Sequence, residues 1–218
     1  MANAAGRVGR DPSSIRLVAV SKTFDIAAVM AAADAGQIDF GENKIQEALP
    51  KIEATARSSL RWHLIGHLQS NKAKKAGEQF QTIQSIDSPE LGDKVERAAS
   101  SAQRSVEVLI QVDLASEPTK HGVPEADLAP IFEAAQNWHA CRVTGLMTLP
   151  PATDTAEEAR PYFRALKSVR DRLLARGLSA SMLGELSMGM SHDFEVAIEE
   201  GATMIRVGTA IFGQRTYL

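Results

Sequence analysis

The sequence predicts one eight-stranded parallel α/β barrel (a TIM barrel), and three observations carry that prediction. Apolar runs rich in β-branched residues alternate with helix-patterned runs, and eight such units can be counted along the chain. The 218 residues suit a lean barrel, since the fold typically takes roughly 250. No linker, low-complexity tract or internal repeat interrupts the alternation, so residues 1–218 read as a single domain. An open doubly wound sheet is the alternative, but no G-x-G-x-x-G follows the first strand.

Each element has a local reason. Residues 1–14 are small, polar and punctuated by glycine, and 10–14 read as a turn, so any helix there is a stub. The first strand, 17–23, has four apolar residues before Ser21, Lys22 and Thr23, the pattern of a parallel strand covered on both faces. Asp25 caps a helix over 26–33, and Gly36 stops it. A second strand, 38–43, leads into a helical stretch over 44–57 that Pro50 is expected to kink or divide. The third strand, 60–67, precedes a short basic helix over 70–77 with a serine start and a glycine stop. After the fourth strand, 82–87, Ser88, Pro89 and Glu90 form a strong helix start, and that helix runs to about Ala102. Strand five, 106–114, and its loop, 115–123, lead to a helix over 124–137. Strand six, 142–149, is closed by Pro150 and Pro151 before the longest helix, which ends at Gly177. A weak seventh strand, 185–190, is followed by a helix over 191–200, and the eighth strand with its turn occupies 204–213.

Composition narrows the function. A formal charge of −3 offers no basic field for a phosphate backbone, so nucleic acid is not an expected partner. No run of 18 apolar residues and no apolar amino-terminal segment is present, so neither a membrane span nor export by such a signal is expected. Cys141 is the only cysteine, which rules out an intrachain disulfide and a cysteine-rich metal motif and points to a reducing cytoplasm. His63 and His67 are four apart on the predicted third strand and would share a face; without a third ligand, packing or hydrogen bonding is the better reading, and no metal site is assigned.

The chemistry is expected at the carboxyl ends of the strands, where barrel active sites lie. Lys22 ends the first strand. Beside apolar walls a lysine ammonium is disfavoured, and the neutral amine can hold an aldehyde as a Schiff base. Asn43, His67, Asp87, the loop residue Lys120 and Thr148 face the same mouth in this reading. Loops after strands seven and eight often build a phosphate site; Ser191, read as the cap of the following helix, and Gly208 with Thr209 stand there. A phosphate cradle opposite an aldehyde-seeking lysine points to pyridoxal 5′-phosphate.

The segments 19–23, 40–43 with 46–47, 62–66 with 68–72, 186–193 and 206–213 closely resemble the pyridoxal phosphate homeostasis proteins, the YggS/PROSC family, from about residue 8 onward. That family resembles the barrel domain of bacterial alanine racemase. The resemblance implies a protein that binds and buffers the cofactor, or delivers it to apo-forms of pyridoxal-phosphate-dependent enzymes, with no catalytic residue of its own. By position it implies Lys22 as the Schiff-base lysine, and Ser187 or Ser191 with Gly208 and Thr209 as the phosphate cradle. Arg206 would face the pyridine nitrogen, and Asn43 would line the cofactor. A racemase-like enzyme is the alternative. It is disfavoured because the chain ends five residues after Gly213 and its two tyrosines, Tyr162 and Tyr217, offer no obvious second base. A monomer is expected. Two departures from the family's pattern stand out: only a remnant precedes Arg10 where a full helix is usual, and His67 stands where proline is expected.

Overall fold

The computed structural model describes residues 1–115 and 121–214. Eight parallel strands close in chain order: β1 (Arg16–Val20), β2 (Asp39–Glu42), β3 (Arg61–Leu64), β4 (Thr82–Ile86), β5 (Val106–Gln111), β6 (Cys141–Met147), β7 (Glu185–Ser187) and β8 (Met204–Val207). The barrel shuts where β1 pairs with β8, Leu17 opposite Ile205 and Val18 opposite Arg206. Helices α1 (Ala2–Arg7), α2 (Ile26–Asp34), α3 (Ile45–Thr55), α4 (Ala73–Gln79), α5 (Pro89–Ser101), α6 (Leu128–Ala135), α7 (Arg160–Ala175), α8 (Phe194–Glu199) and α9 (Thr209–Phe212) complete the described elements, most of them lying on the outside of the barrel.

The layer between strands and helices is apolar. Phe40 and Trp62 meet at 5.5 Å between ring centroids, and Phe80, Phe163 and Leu166 are fully buried. The amino-terminal strand ends carry charge instead. Arg61 bridges Asp39 at 2.9 Å, Arg16 lies 3.4 Å from Glu185, and Arg142 reaches Glu107 at 2.7 Å, so the barrel floor is a ring of ion pairs.

Several elements depart from the sequence reading for identifiable reasons. Pro50 neither divides nor ends α3; Pro50 and Gln46 are both exposed, so the carbonyl that loses its N–H partner is on the solvent side. Gly77 does not stop α4. It lets the helix approach α5, where an added Cβ would lie 2.9 Å from both Ala98 Cβ and the Val95 carbonyl oxygen. β3 ends at Leu64, so His63 and His67 share no strand face. Ser191 does not cap α8: Asp193 precedes that helix, and its Oδ1 accepts from the Met190 N–H at 2.6 Å. The helix expected over 124–137 divides into a 3-10 turn, Glu125–Asp127, and α6. The stub foreseen at the amino terminus is α1, with Ala4 and Ala5 buried and Arg7 bonded to Glu195 and Glu199 on α8.

Candidate functional site

β1 ends at Val20 because the next residues are captured by neighbours. The Ser21 N–H donates to the Gly41 carbonyl at 3.0 Å, and its hydroxyl donates to Glu42 Oε1 at 2.6 Å. Lys51 Nζ, from α3, donates to the same Glu42 oxygen at 2.7 Å and to the Ser21 carbonyl at 2.8 Å. Thr23 then takes a left-handed conformation, φ 69°, and the Phe24 N–H closes the turn onto the Ser21 carbonyl at 3.1 Å. Lys22 is therefore presented from a turn clamped on both sides, two residues beyond the strand. The Ser21–Glu42–Lys51 clamp is a feature that sequence reasoning missed, and a lysine buried within α3 is readable only once the strand order is known.

A pocket of about 420 Å³ opens beside that turn, and its lining includes Lys22, Asn43, Ser191, Arg206, Gly208 and Thr209. Six of the seven predicted site residues thus share one cavity. The seventh, Ser187, is fully buried in the barrel, where its hydroxyl donates to Gln84 Oε1 at 2.6 Å and its oxygen accepts from Arg206 Nη1 at 2.5 Å. Ser191 instead accepts the Gly208 N–H at 3.1 Å, tying the loop after β7 to the one after β8. Among the described residues, the N–H groups of Ser191, His192 and Thr209 find no protein acceptor. Gly208 is needed for the close approach, since a Cβ there would meet the Val20 carbonyl oxygen at 3.2 Å.

Arg206 supplies the buried charge. Its Nη2 donates to the Thr148 carbonyl at 2.8 Å, and burial pushes its guanidinium down to about 10 against the opposing pull of Asp193, which leaves it cationic near neutrality. His67 stands at the rim, its ring stacked on His121 with centroids 3.5 Å apart and its Nδ1 3.7 Å from an Asp87 carboxylate oxygen. Burial, then the neighbouring His121, holds His67 below the usual histidine range, and burial raises Asp87. No group of three or more metal-ligating side chains is arranged for an ion among the described residues. Lys120 and Tyr217 lie outside the described residues, and Tyr162 lies in α7, away from the pocket lining. No helix among the described residues is long and apolar enough to cross a membrane.

A closed parallel barrel with a lysine, a buried arginine and a main-chain cradle at one mouth defines an alanine racemase-like class, and the family model described as "Alanine racemase, N-terminal domain" matches residues 4–216. Within that class the chain belongs to the pyridoxal phosphate homeostasis protein family. It is 42% identical over 214 residues to the pyridoxal phosphate homeostasis protein of Aquifex aeolicus, covering 98% of this chain and 93% of that one. Two solved structures of PipY from Synechococcus elongatus PCC7942 superpose on it. The one without PLP has a TM-score of 0.87 at 42% identity, and the one with PLP bound 0.86 at 40%; each covers 96% of this chain and 97% of the other.

Proposed function

We propose that this protein binds pyridoxal 5′-phosphate reversibly, holds its aldehyde on Lys22 as a Schiff base, and buffers the cofactor or delivers it to apo-forms of enzymes that use it. The observation that carries this reading is the gathering of Lys22, Asn43, Ser191, Arg206, Gly208 and Thr209 around one cavity. The residues fit the group. Main-chain N–H groups of Ser191, His192 and Thr209 with the Thr209 hydroxyl supply donors for a phosphate, and Gly208 keeps the approach open. Arg206 is a donor for a ring nitrogen, and Asn43 lines the face of the cavity. When bound, the cofactor supplies an aldehyde that condenses with the Lys22 amine, forming a C=N bond and releasing water. Ser187 is left to a supporting task, because its hydroxyl is committed inside the barrel. The PLP-bound PipY structure and the name carried by the Aquifex relative support the same reading. We place the protein in the cytoplasm, consistent with its lone buried thiol, and propose that it acts there as a monomer.

The test is borohydride reduction of the cofactor-loaded protein followed by peptide mass spectrometry. A pyridoxyl group on Lys22, absent from Lys22→Ala, is the expected result. Label mainly on Lys120 or Lys72 would overturn the assignment. Delivery is read separately, as recovery of activity by an apo-enzyme mixed with loaded protein while free cofactor is trapped.

A further inference from the structure

A single file of hydrogen bonds runs from the barrel floor to the mouth, and every residue in it is buried. Starting at the floor, Asp39 Oδ1 lies 2.8 Å from His63 Nε2, and His63 Nδ1 lies 3.1 Å from Gln84 Nε2. Gln84 Oε1 accepts the Ser187 hydroxyl at 2.6 Å, and Ser187 Oγ accepts from Arg206 Nη1 at 2.5 Å. The file draws on β2, β3, β4, β7 and β8, so it crosses the barrel interior instead of following one strand.

The chemistry of each group fixes the sense of every bond. Burial works against the Asp39 carboxylate, but hydrogen bonds from His63 and from Arg61 hold it below the usual range, so it is ionised and can only accept. The shared proton must then sit on His63 Nε2. Burial pushes His63 down against the pull of Asp39, so the imidazole is neutral and its Nδ1 is an acceptor. That lone pair can only receive the Gln84 amide N–H, which turns the Gln84 oxygen toward Ser187. The second amide hydrogen is used as well, donated to Met204 Sδ at 2.9 Å. With its proton given to Gln84, Ser187 offers Arg206 a bare lone pair. A flipped amide would set oxygen against the imidazole lone pair, so no member can reverse alone.

We infer that Asp39, His63, Gln84 and Ser187 are positioning residues that orient the Arg206 guanidinium from the far end of the barrel. All donations run one way, from the cation at the mouth to the anion at the floor. The second Nη group is pinned independently by the Thr148 carbonyl at 2.8 Å, so the plane of the guanidinium is set by two anchors. A guanidinium so fixed donates to a pyridine nitrogen and opposes its protonation. The inference rests on the proposed function only for what Arg206 faces; the file itself stands without it.

Two measurements separate those parts. In cofactor-free protein labelled with ¹⁵N, His63 is expected to be neutral with its proton on Nε2 at pH 7, and both Arg206 Nη groups, one held by Ser187 and one by Thr148, are expected to be protected from exchange. Ser187→Ala should release the Nη1 protection, leaving that of Nη2 and the His63 tautomer unchanged. A proton on Nδ1, an imidazolium at pH 7, or unchanged Arg206 Nη1 protection in Ser187→Ala would overturn the inference whether or not cofactor binds. In the loaded protein, Ser187→Ala and Gln84→Leu should weaken binding on the order of tenfold and shift the pH dependence of the bound cofactor's absorbance, with Ser187→Thr restoring much of both. Should Gln84→Leu fail to fold, Ser187→Ala, which removes one oxygen, decides alone. Wild-type affinity and pH profile in Ser187→Ala would end the positioning role, whereas a wild-type protein that binds no pyridoxal phosphate would end the proposed function and leave the ¹⁵N result standing.

Discussion

Lys22 stands in a turn that its neighbours clamp, so its replacement should be separable from folding. Lys22→Ala leaves the Ser21–Glu42–Lys51 clamp intact and is expected to remain folded, with a cooperative urea transition, while abolishing borohydride-fixed label. Thr209→Val removes a hydroxyl donor from a partly desolvated cradle, and Ser191→Ala removes the hydroxyl that ties the loop after β7 to the Gly208 N–H; each should weaken cofactor binding by roughly 1–3 kcal/mol, read by titration of apo-protein. Unchanged affinity in both would move the phosphate elsewhere. Cys141 makes the opposite case: burial, with Glu96 beside it, raises its thiol to about 12. It should resist Ellman's reagent at pH 8 until denaturant is added, and rapid native labelling would contradict the burial. At this scale the sequence showed the mouth residues because strand ends are readable from apolar runs that stop on a polar group. It did not separate Ser187 from Ser191, since the expected strand ran over 185–190 and left both serines near one mouth, whereas β7 stops at Ser187, whose side chain is committed inside the barrel. Gln84 was within reach, as a polar residue interrupting the buried run 82–86, but its partner on β7 was not.

Among the elements, caps and stops read well where a side chain meets its own backbone. Asp25 and Ser88 do accept from Ala28 and Leu91, as their positions before α2 and α5 predicted. Gly77 misled because its reason is tertiary, and Gly145 has a tertiary role of its own. Gly77 allows a helix crossing, and Gly145, in the middle of β6, allows an unusually close strand: a Cβ there would fall 2.0 Å from the Glu185 carbonyl oxygen. That contact is with backbone, so no side chain can swing aside, and β6 and β7 would have to part. Gly145→Ala is therefore expected to cost about 3 kcal/mol or more, measured as a lower urea midpoint. An unchanged midpoint would mean that β7, only three residues long, yields more readily than the pairing implies. Because β7 ends in Ser187, the same variant should also loosen Arg206.

Over the whole molecule, the alternation of elements sufficed to foresee a closed barrel, because eight strands each buried on both faces leave few other arrangements. What the alternation could not show was that the barrel interior is partly polar, and that has a consequence for stability. His63 is fully buried, and burial lowers its pKa from the ordinary value of about 6.5. Below that value the unfolded chain binds a proton that the folded chain refuses, so this contribution is complete above about pH 6.5 and is lost as pH falls through it. His67, also lowered by burial and by His121, acts in the same direction. Asp87 has the opposite sign: its raised pKa costs stability as pH rises and offsets part of the loss on acidification. Asp39 and Glu96, held down by their hydrogen bonds despite burial, add a second loss at lower pH, as their carboxylates protonate. The urea midpoint is thus expected to fall between pH 7 and pH 5, before the carboxylate range is reached. His63→Asn cannot take up the proton and should flatten that first decline relative to its own value at pH 7, whereas His67→Gln should remove only a minor part of it. A decline of the same steepness in His63→Asn would show that the imidazole inside the barrel is not its source.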